Sequence, residues 1–303
     1  MSTKNYLSIY ARSFNWSGFF LPKNIYVKCS KLYDFCRTVD NIADQEANLD
    51  YKKKELIKFR TNFENKDFKN EVIKNMWELM DEFNISKKIV DDLFDGVESD
   101  IKEEVKIKNE KELFVYSYRV AGTVGLMMAK IFNIKKKDTL QRAIYLGIAM
   151  QLTNIARDVI EDEKKNRVYL INYSKDKLIN IKKIIYTADT FYNSSFAGIK
   201  DIPLSCRFSI IVARRVYRQI GKKIFNIKDL STYKGAGKIY VSSFGKVVQT
   251  IFSLLDLIIL PFLKPRKIEQ EYEYNLINED ISLNERICLR NYWRRMRGII
   301  LGI

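Results

Sequence analysis

Two short stretches carry residues that could do chemistry together. In the first, Tyr33, Arg37, Asp40 and Asp44 recur at three- and four-residue spacing. On a helix advancing about 100° per residue they fall within roughly a 60° arc. In the second, Gln151, Asn154, Asp158 and Asp162 share roughly an 80° stripe by the same arithmetic. Two carboxylates one turn apart repel unless a cation lies between them. A hard divalent ion suits such oxygen ligands and completes its octahedron with water and phosphate oxygens, so Mg²⁺ is the natural occupant, with Mn²⁺ as a substitute. Arg37 and Arg157, each close to the first aspartate of its ladder, supply the planar, bidentate donors that phosphate oxygens take. Taken singly, an Asp pair at i,i+4 is the mark of a solvated helix face. Two such ladders in otherwise apolar helical sequence describe a diphosphate clamped by several metal ions, which neutralise charge on the departing group. The carbocation left behind would need a water-excluding cavity with aromatic faces, which 18 Tyr, 18 Phe and 3 Trp can furnish.

Composition removes most competing chemistries. The 303 residues contain no histidine, which excludes Ser-His-Asp and Cys-His catalysis, imidazole acid/base work and His-ligated zinc or iron. Lys+Arg number 53 against 37 Asp+Glu, a net charge of +16, which suits nucleic acid, an anionic membrane or a polyanionic small substrate. Cys29, Cys36, Cys206 and Cys288 are scattered with no C-x-x-C, as expected in a reducing compartment without a zinc site. The opening MSTKNYLSIYARSFNW has neither an apolar h-region nor a small-residue cleavage site, so no secretory signal is expected.

The elements that must position these ladders are helices. Four prolines and twelve glycines punctuate long stretches with apolar residues three and four apart, which predicts helices over 23–46, 50–65, 70–82, 86–101, 110–133, 137–163, 176–197, 204–226 and 239–260. No repeat or linker divides the chain, so the expectation is one all-α domain over 1–303 with a basic C-terminal tail from about 265. The most apolar run, 247–263, contains Asp256 and Pro261 and precedes Lys264, Arg266 and Lys267. It reads as a buried core helix, as an interfacial membrane helix, or as a short spanning one. The tail 286–297, with Tyr292 and Trp293 among basic residues, suits anionic lipid, nucleic acid or a solvated helix end.

At this level the chain resembles the squalene/phytoene synthase family, the head-to-head prenyl diphosphate condensing enzymes. Tyr33–Asp44 is similar to the family's Y-x-x-x-C-R-x-x-D-x-x-x-D segment, and Gln151–Leu170 to its Q-L-T-N-I-x-R-D-x-x-E-D-x-x-x-x-R-x-Y-L-P segment. Between them, Tyr116–Gly125 resembles Y-x-x-x-V-A-G-T-V-G, and Tyr10–Phe14 stands where the family has a short basic-Ser-Phe element. The resemblance implies an all-α isoprenoid-synthase bundle around a central cavity. It implies Asp40, Asp44, Asn154, Asp158 and Asp162 as Mg²⁺ ligands, with Arg12, Ser13, Phe14, Tyr33, Arg37, Gln151, Arg157 and Tyr233 holding substrate and Tyr116 near the reacting carbons. Lys238 and Lys246 are basic candidates by position. From the residues alone, Tyr116 reads equally as a core tyrosine with a satisfied hydroxyl. Gly122 and Gly125 each cost about 1 kcal/mol in a helix, so a close helix crossing or a prenyl channel is expected there. Two departures are visible: Asn41 stands where many members have Asp, and Ile171 replaces a proline.

The second segment's wording, Q-L-T-N-I-A-R-D-V, is most similar to the family's bacterial phytoene synthases. That implies two geranylgeranyl diphosphates joined through a cyclopropyl (prephytoene) diphosphate to phytoene, with diphosphate as final base and no nucleotide cofactor. Squalene, dehydrosqualene or presqualene diphosphate formation from farnesyl diphosphate, with NADPH where a reductant is needed, is the alternative. Further rivals are a non-catalytic membrane-associated assembly subunit and, resting on the basic tail only, nucleic-acid binding. Because substrate and product are lipids, a cytoplasmic protein attached peripherally to anionic membrane is expected.

Overall fold

The computed structural model describes the backbone of residues 12–171, 176–263 and 270–287, with side chains from residue 15 onward in those ranges. The apolar spacing becomes packing directly. On α2 (Lys23–Asp44), which follows α1 (Arg12–Gly18), the residues Leu32, Phe35, Val39 and Ala43 are buried. They meet α3 (Leu49–Glu64), α4 (Glu71–Phe83) and α5 (Lys87–Glu98), where Phe35, Phe59, Phe63 and Phe94 form one aromatic cluster. Side-chain caps start these helices where the sequence supplies them: Asn48 accepts from Tyr51 N, Asn70 from Val72 N and Ser86 from Lys88 N.

The middle of the chain builds the cavity walls. The expected helix over 110–133 is two, α6 (Glu110–Ser117) and α7 (Thr123–Ile131), joined by a π-helical turn at Tyr118–Gly122. Sequence periodicity does not register the extra residue of a π-turn, which inserts into an otherwise continuous helical pattern. The 28-residue α8 (Lys137–Lys164) runs down the centre and packs on α7, α9 (Lys177–Phe196) and α10 (Leu204–Phe225). After α8 the chain turns through Asn166, whose φ is 56°, and a two-residue strand β2 (Arg167–Val168) pairs in parallel with β1 (Val105–Lys106). This short ladder pins Arg167 beside the end of α2, as the site requires.

Gly125 and Gly147 are explained by approach distance. A Cβ on Gly125 would lie 2.2 Å from the Ala143 carbonyl oxygen, and one on Gly147 would lie 2.2 Å from that of Ala121. Helices α7 and α8 therefore touch backbone to backbone, and the same two glycines line the cavity, so both expectations for Gly125 hold together. Gly147→Ala must push the helices apart, and a loss of about 1–3 kcal/mol is expected, read as a lower midpoint in thermal unfolding.

The C-terminal part departs most from expectation. A short α11 (Leu230–Gly235) precedes α12 (Ser243–Ile259), which begins four residues later than the predicted 239. The core-helix reading of 247–263 fails for most of the run: within α12 only Ser253 is buried and most of the large apolar residues face outward, while Leu257 packs partly on the core and Leu260, just past the helix, is buried. Nor is the chain beyond about 265 simply a tail. Helices α13 (Glu271–Asp280) and α14 (Leu283–Ile287) pack back on the protein, and Arg286 donates twice to buried Asp92. Buried apolar residues from Cys29 to Ile287 form one contiguous cluster. Lys264, Arg266, Lys267 and most of the 286–297 segment, Tyr292 and Trp293 included, lie outside the described residues.

Candidate active site

A cavity of about 750 Å³ opens between α2, the π-turn, α7, α8, the 3₁₀ turn after α9, and α10. Its mouth carries Tyr33, Arg37 and Asp40 from α2 opposite Gln151, Asn154 and Arg157 from α8. The two sequence ladders thus meet across one opening. Asp44 and Asp158, one turn further along, and Asp162, two turns further, continue the same stripes and are not among the lining residues.

Each ladder is held by cations. Arg37 donates to Asp40, while Arg167 and Lys165 approach Asp44 at 2.9 and 3.5 Å. Arg157 pairs with Asp158 through Nε at 2.8 Å and Nη2 at 2.5 Å, and Lys238 bridges Asp158 at 3.6 Å and Glu161 at 2.8 Å. Asp162 makes no ion pair among the described residues. The titration of Asp40, Asp44 and Asp162 follows from their surroundings. Burial, with the Asp44 charge next to it, raises the Asp40 carboxyl to about 6 against the pull of Arg37. Burial, with the Asp158 charge, raises Asp162 to about 7. Burial also acts upward on Asp44, but the Arg167 hydrogen bond and Lys165 outweigh it and hold it below the usual carboxylate range. Asp40 and Asp162 therefore hold their protons to a higher pH than an ordinary carboxyl does.

The donor set fits a hard divalent ion that shares its shell with substrate. Asn154 Oδ1 is buried and has no hydrogen-bond partner, an acceptor left over for a ligand. No three carboxylate or thiol ligands converge into a closed protein centre among the described residues. That matches Mg²⁺, which takes one or two carboxylates and fills the rest with water and phosphate oxygens.

Tyr116 has the satisfied hydroxyl of the core reading, and its ring also lines the cavity. Its hydroxyl donates to Asp100 Oδ2 at 2.9 Å, and its ring lines the cavity stacked on Tyr169, 4.8 Å between centroids. Tyr169 donates to the other Asp100 oxygen at 2.7 Å. Asp100 is not singled out by the sequence: it lies just past α5 among other acids, Glu98, Glu103 and Glu104, and nothing in that run sets it apart. Arg167, Tyr217 and Tyr240 join the site too; of these only Arg167 lies within a quoted motif. Lys238, a candidate by position, does line the mouth, and Lys246 does not.

Tyr233 is corrected. It is buried, absent from the cavity lining, and donates to the Ala156 and Arg157 carbonyl oxygens at 2.8 and 3.1 Å. Rather than meeting substrate, it buttresses the turn of α8 that bears Arg157. Arg12, Ser13 and Phe14 begin α1, but their side chains lie outside the described residues; the end of that helix, Ser17 and Gly18, reaches the cavity.

Below the mouth, the residues facing the cavity recur at helical spacing: Val120, Ala121, Val124, Gly125 and Met128 on one side, Ala143, Leu146, Gly147 and Met150 on α8. Phe132, Ile134, Thr139, Ile199 and Ile202, all under 9% exposed, close the far end. From Asn154 to Thr139 is fifteen residues of α8, or about 22 Å at the rise of an α-helix.

The fold is an all-α bundle around a cavity, and similarity to known proteins gives its family. The Squalene/phytoene synthase profile matches residues 7–171. A phytoene synthase of Pseudescherichia vulneris is 32% identical over 222 residues, covering 64% of this chain and 72% of that protein. A 15-cis-phytoene synthase of Enterobacter agglomerans is 39% identical over 126 residues, 36% of this chain and 43% of that protein, so this second match spans less than half the relative. A dehydrosqualene synthase structure shares the fold at a TM-score of 0.67 and 24% identity, covering 84% of this chain and 95% of that one. The chain belongs to the squalene/phytoene synthase family.

Proposed function

We propose that the protein is a prenyltransferase that condenses two geranylgeranyl diphosphates head to head. The product is phytoene, reached through prephytoene diphosphate, with one diphosphate and one proton released in each of the two half-reactions. The reading is supported by the phytoene synthases that this chain resembles and by an apolar cavity whose α8 wall runs fifteen residues, about 22 Å, from Asn154 to Thr139. A sixteen-carbon main chain extends about 20 Å at about 1.25 Å per carbon–carbon bond, and the twelve-carbon chain of farnesyl about 15 Å. The longer chain matches the length of that wall more nearly than the shorter one does. The phytoene-forming relatives support the same substrate.

The chain's own residues divide the work. Arg37, Arg157 and Lys238, which line the cavity paired to acidic side chains, would turn to take diphosphate oxygens. Asp40, Asp44, Asn154, Asp158 and Asp162 would hold Mg²⁺, which supplies Lewis-acid neutralisation of charge on the departing diphosphate. The apolar stripes on α7 and α8 keep water from the cation that remains, and the Tyr116 ring presents a π face to it. Asp100 fixes that ring by its hydrogen bond. Loss of a proton ends the reaction without a reductant, with released diphosphate as the base. In the cell the protein sits on the cytoplasmic face of an anionic membrane, drawn there by its excess of basic residues.

Two measurements test this. With an equimolar mixture of geranylgeranyl and farnesyl diphosphates, Mg²⁺ and no NADPH, a C40 hydrocarbon should dominate; a mainly C30 product would contradict the reading. EDTA should abolish turnover and Mg²⁺ restore it. Because Asp40 and Asp162 lose protons only near pH 6 and 7, the Mg²⁺ affinity should climb between about pH 5.5 and 8 with proton release, measurable by calorimetry in two buffers.

A further inference from the structure

Helix α12 is built inside out. Its polar residues face the protein: Thr250 accepts from Trp16 Nε1 at 3.0 Å, Ser253 is buried, and Asp256 takes two hydrogen bonds of 2.6 Å from Arg215 on α10. Its outward residues are Phe244, Val247, Ile251, Phe252, Leu254, Leu255, Ile258 and Ile259, each at least 43% exposed, and Phe262 follows at 83%. A surface helix in water shows the opposite arrangement, and an apolar patch of this extent marks a contact surface.

We infer that the outer face of α12 docks in the plane of an anionic lipid bilayer. Charge decides among occupants. In sequence the apolar run is preceded by Lys246 and followed by Lys264, Arg266 and Lys267, with Asp256 as its single acid. Asp256 is already paired inward. Basic flanks suit anionic headgroups, whereas a two-fold contact between copies of this chain would set those flanks against one another. A spanning orientation would strip the Asp256–Arg215 pair from α12 and leave a carboxylate in hydrocarbon.

The docking also aims the cavity. One part of its wall, Ser17 and Gly18 of α1 with Ser209, Ile210 and Ala213 of α10, lies on the two helices that hold α12, through Trp16 and Arg215. The bilayer face and the lipid cavity are thus one helix layer apart, which places a source of prenyl substrate and a sink for hydrocarbon product beside the enzyme. That consequence rests on the condensation reading; the docking does not.

The test is sedimentation of the purified full chain with vesicles of phosphatidylcholine and phosphatidylglycerol. The parent should co-sediment, and should be released by alkaline carbonate. The double variant Ile251→Ser/Ile258→Ser should partition on the order of a hundredfold more weakly, while turning over substrate in detergent micelles at the parent rate. Equal sedimentation of the variant would overturn the assignment, as would carbonate-resistant retention. A parent that ignores vesicles but is a dimer, split by the double variant, would also overturn it. If the parent binds vesicles yet forms no hydrocarbon in micelles, condensation fails and the docking stands.

Discussion

Asp162→Asn should leave a protein that melts at a higher temperature than the parent in metal-free buffer at pH 8, yet turns over at least about a thousandfold more slowly, since metal-assisted charge stabilisation contributes several kcal/mol. Both effects have one cause. Asp162 pairs with no cation among the described residues, and burial beside Asp158 raises its carboxyl to about 7. A carboxyl whose pKa is higher folded than unfolded supports the fold at low pH, and that support is lost as pH rises through about 7. At pH 8 the charged side chain is therefore a burden on the metal-free protein, and the amide removes it. The same substitution takes away an anionic metal ligand, so added Mg²⁺ should raise the melting temperature of the parent more than that of the variant. Differential scanning calorimetry at pH 6 and 8, with and without Mg²⁺, checks the stability half, and hydrocarbon formation checks the other. A variant that is both less stable and fully active would contradict the placement of Asp162 in the metal ladder.

Ala143→Phe should change which substrate the enzyme accepts. Ala143 lines the cavity eleven residues down α8 from Asn154, about 16 Å from the mouth by helix rise. This is the depth at which a farnesyl chain ends and the fourth isoprene unit of geranylgeranyl begins. A phenyl ring there should cost the longer substrate on the order of a hundredfold or more in kcat/KM through overpacking, while farnesyl diphosphate is affected little and becomes the better substrate. The contact with Gly125 at this point is made by the Ala143 backbone oxygen, and Ala143 is among the residues that line the cavity. Equal losses for both chain lengths would show that Ala143 does not gauge length.

Much of the site was readable because its chemistry is local. The ladders Tyr33–Arg37–Asp40–Asp44 and Gln151–Asn154–Asp158–Asp162 each occupy one helix face, so spacing alone arranged them. What spacing could not supply was long-range partnership. Arg167 reaches Asp44 only because β1 and β2 pair, Asp100 matters only because Tyr116 and Tyr169 converge on it, and neither leaves a periodic trace. Tyr233 matched a motif position yet turned its hydroxyl to the α8 backbone. The run at 247–263 misled for a related reason: hydropathy reports that a helix is apolar, while the direction of the apolar face depended on Asp256 finding Arg215 on another helix.

The central claim is tested most directly by mass spectrometry of the hydrocarbon formed when purified protein meets geranylgeranyl diphosphate and Mg²⁺, with no NADPH, in detergent micelles. The account expects a C40 phytoene, with two diphosphates released per molecule and no product once EDTA is added. Absence of any C40 hydrocarbon, while farnesyl diphosphate gives a C30 product under the same conditions, would contradict it.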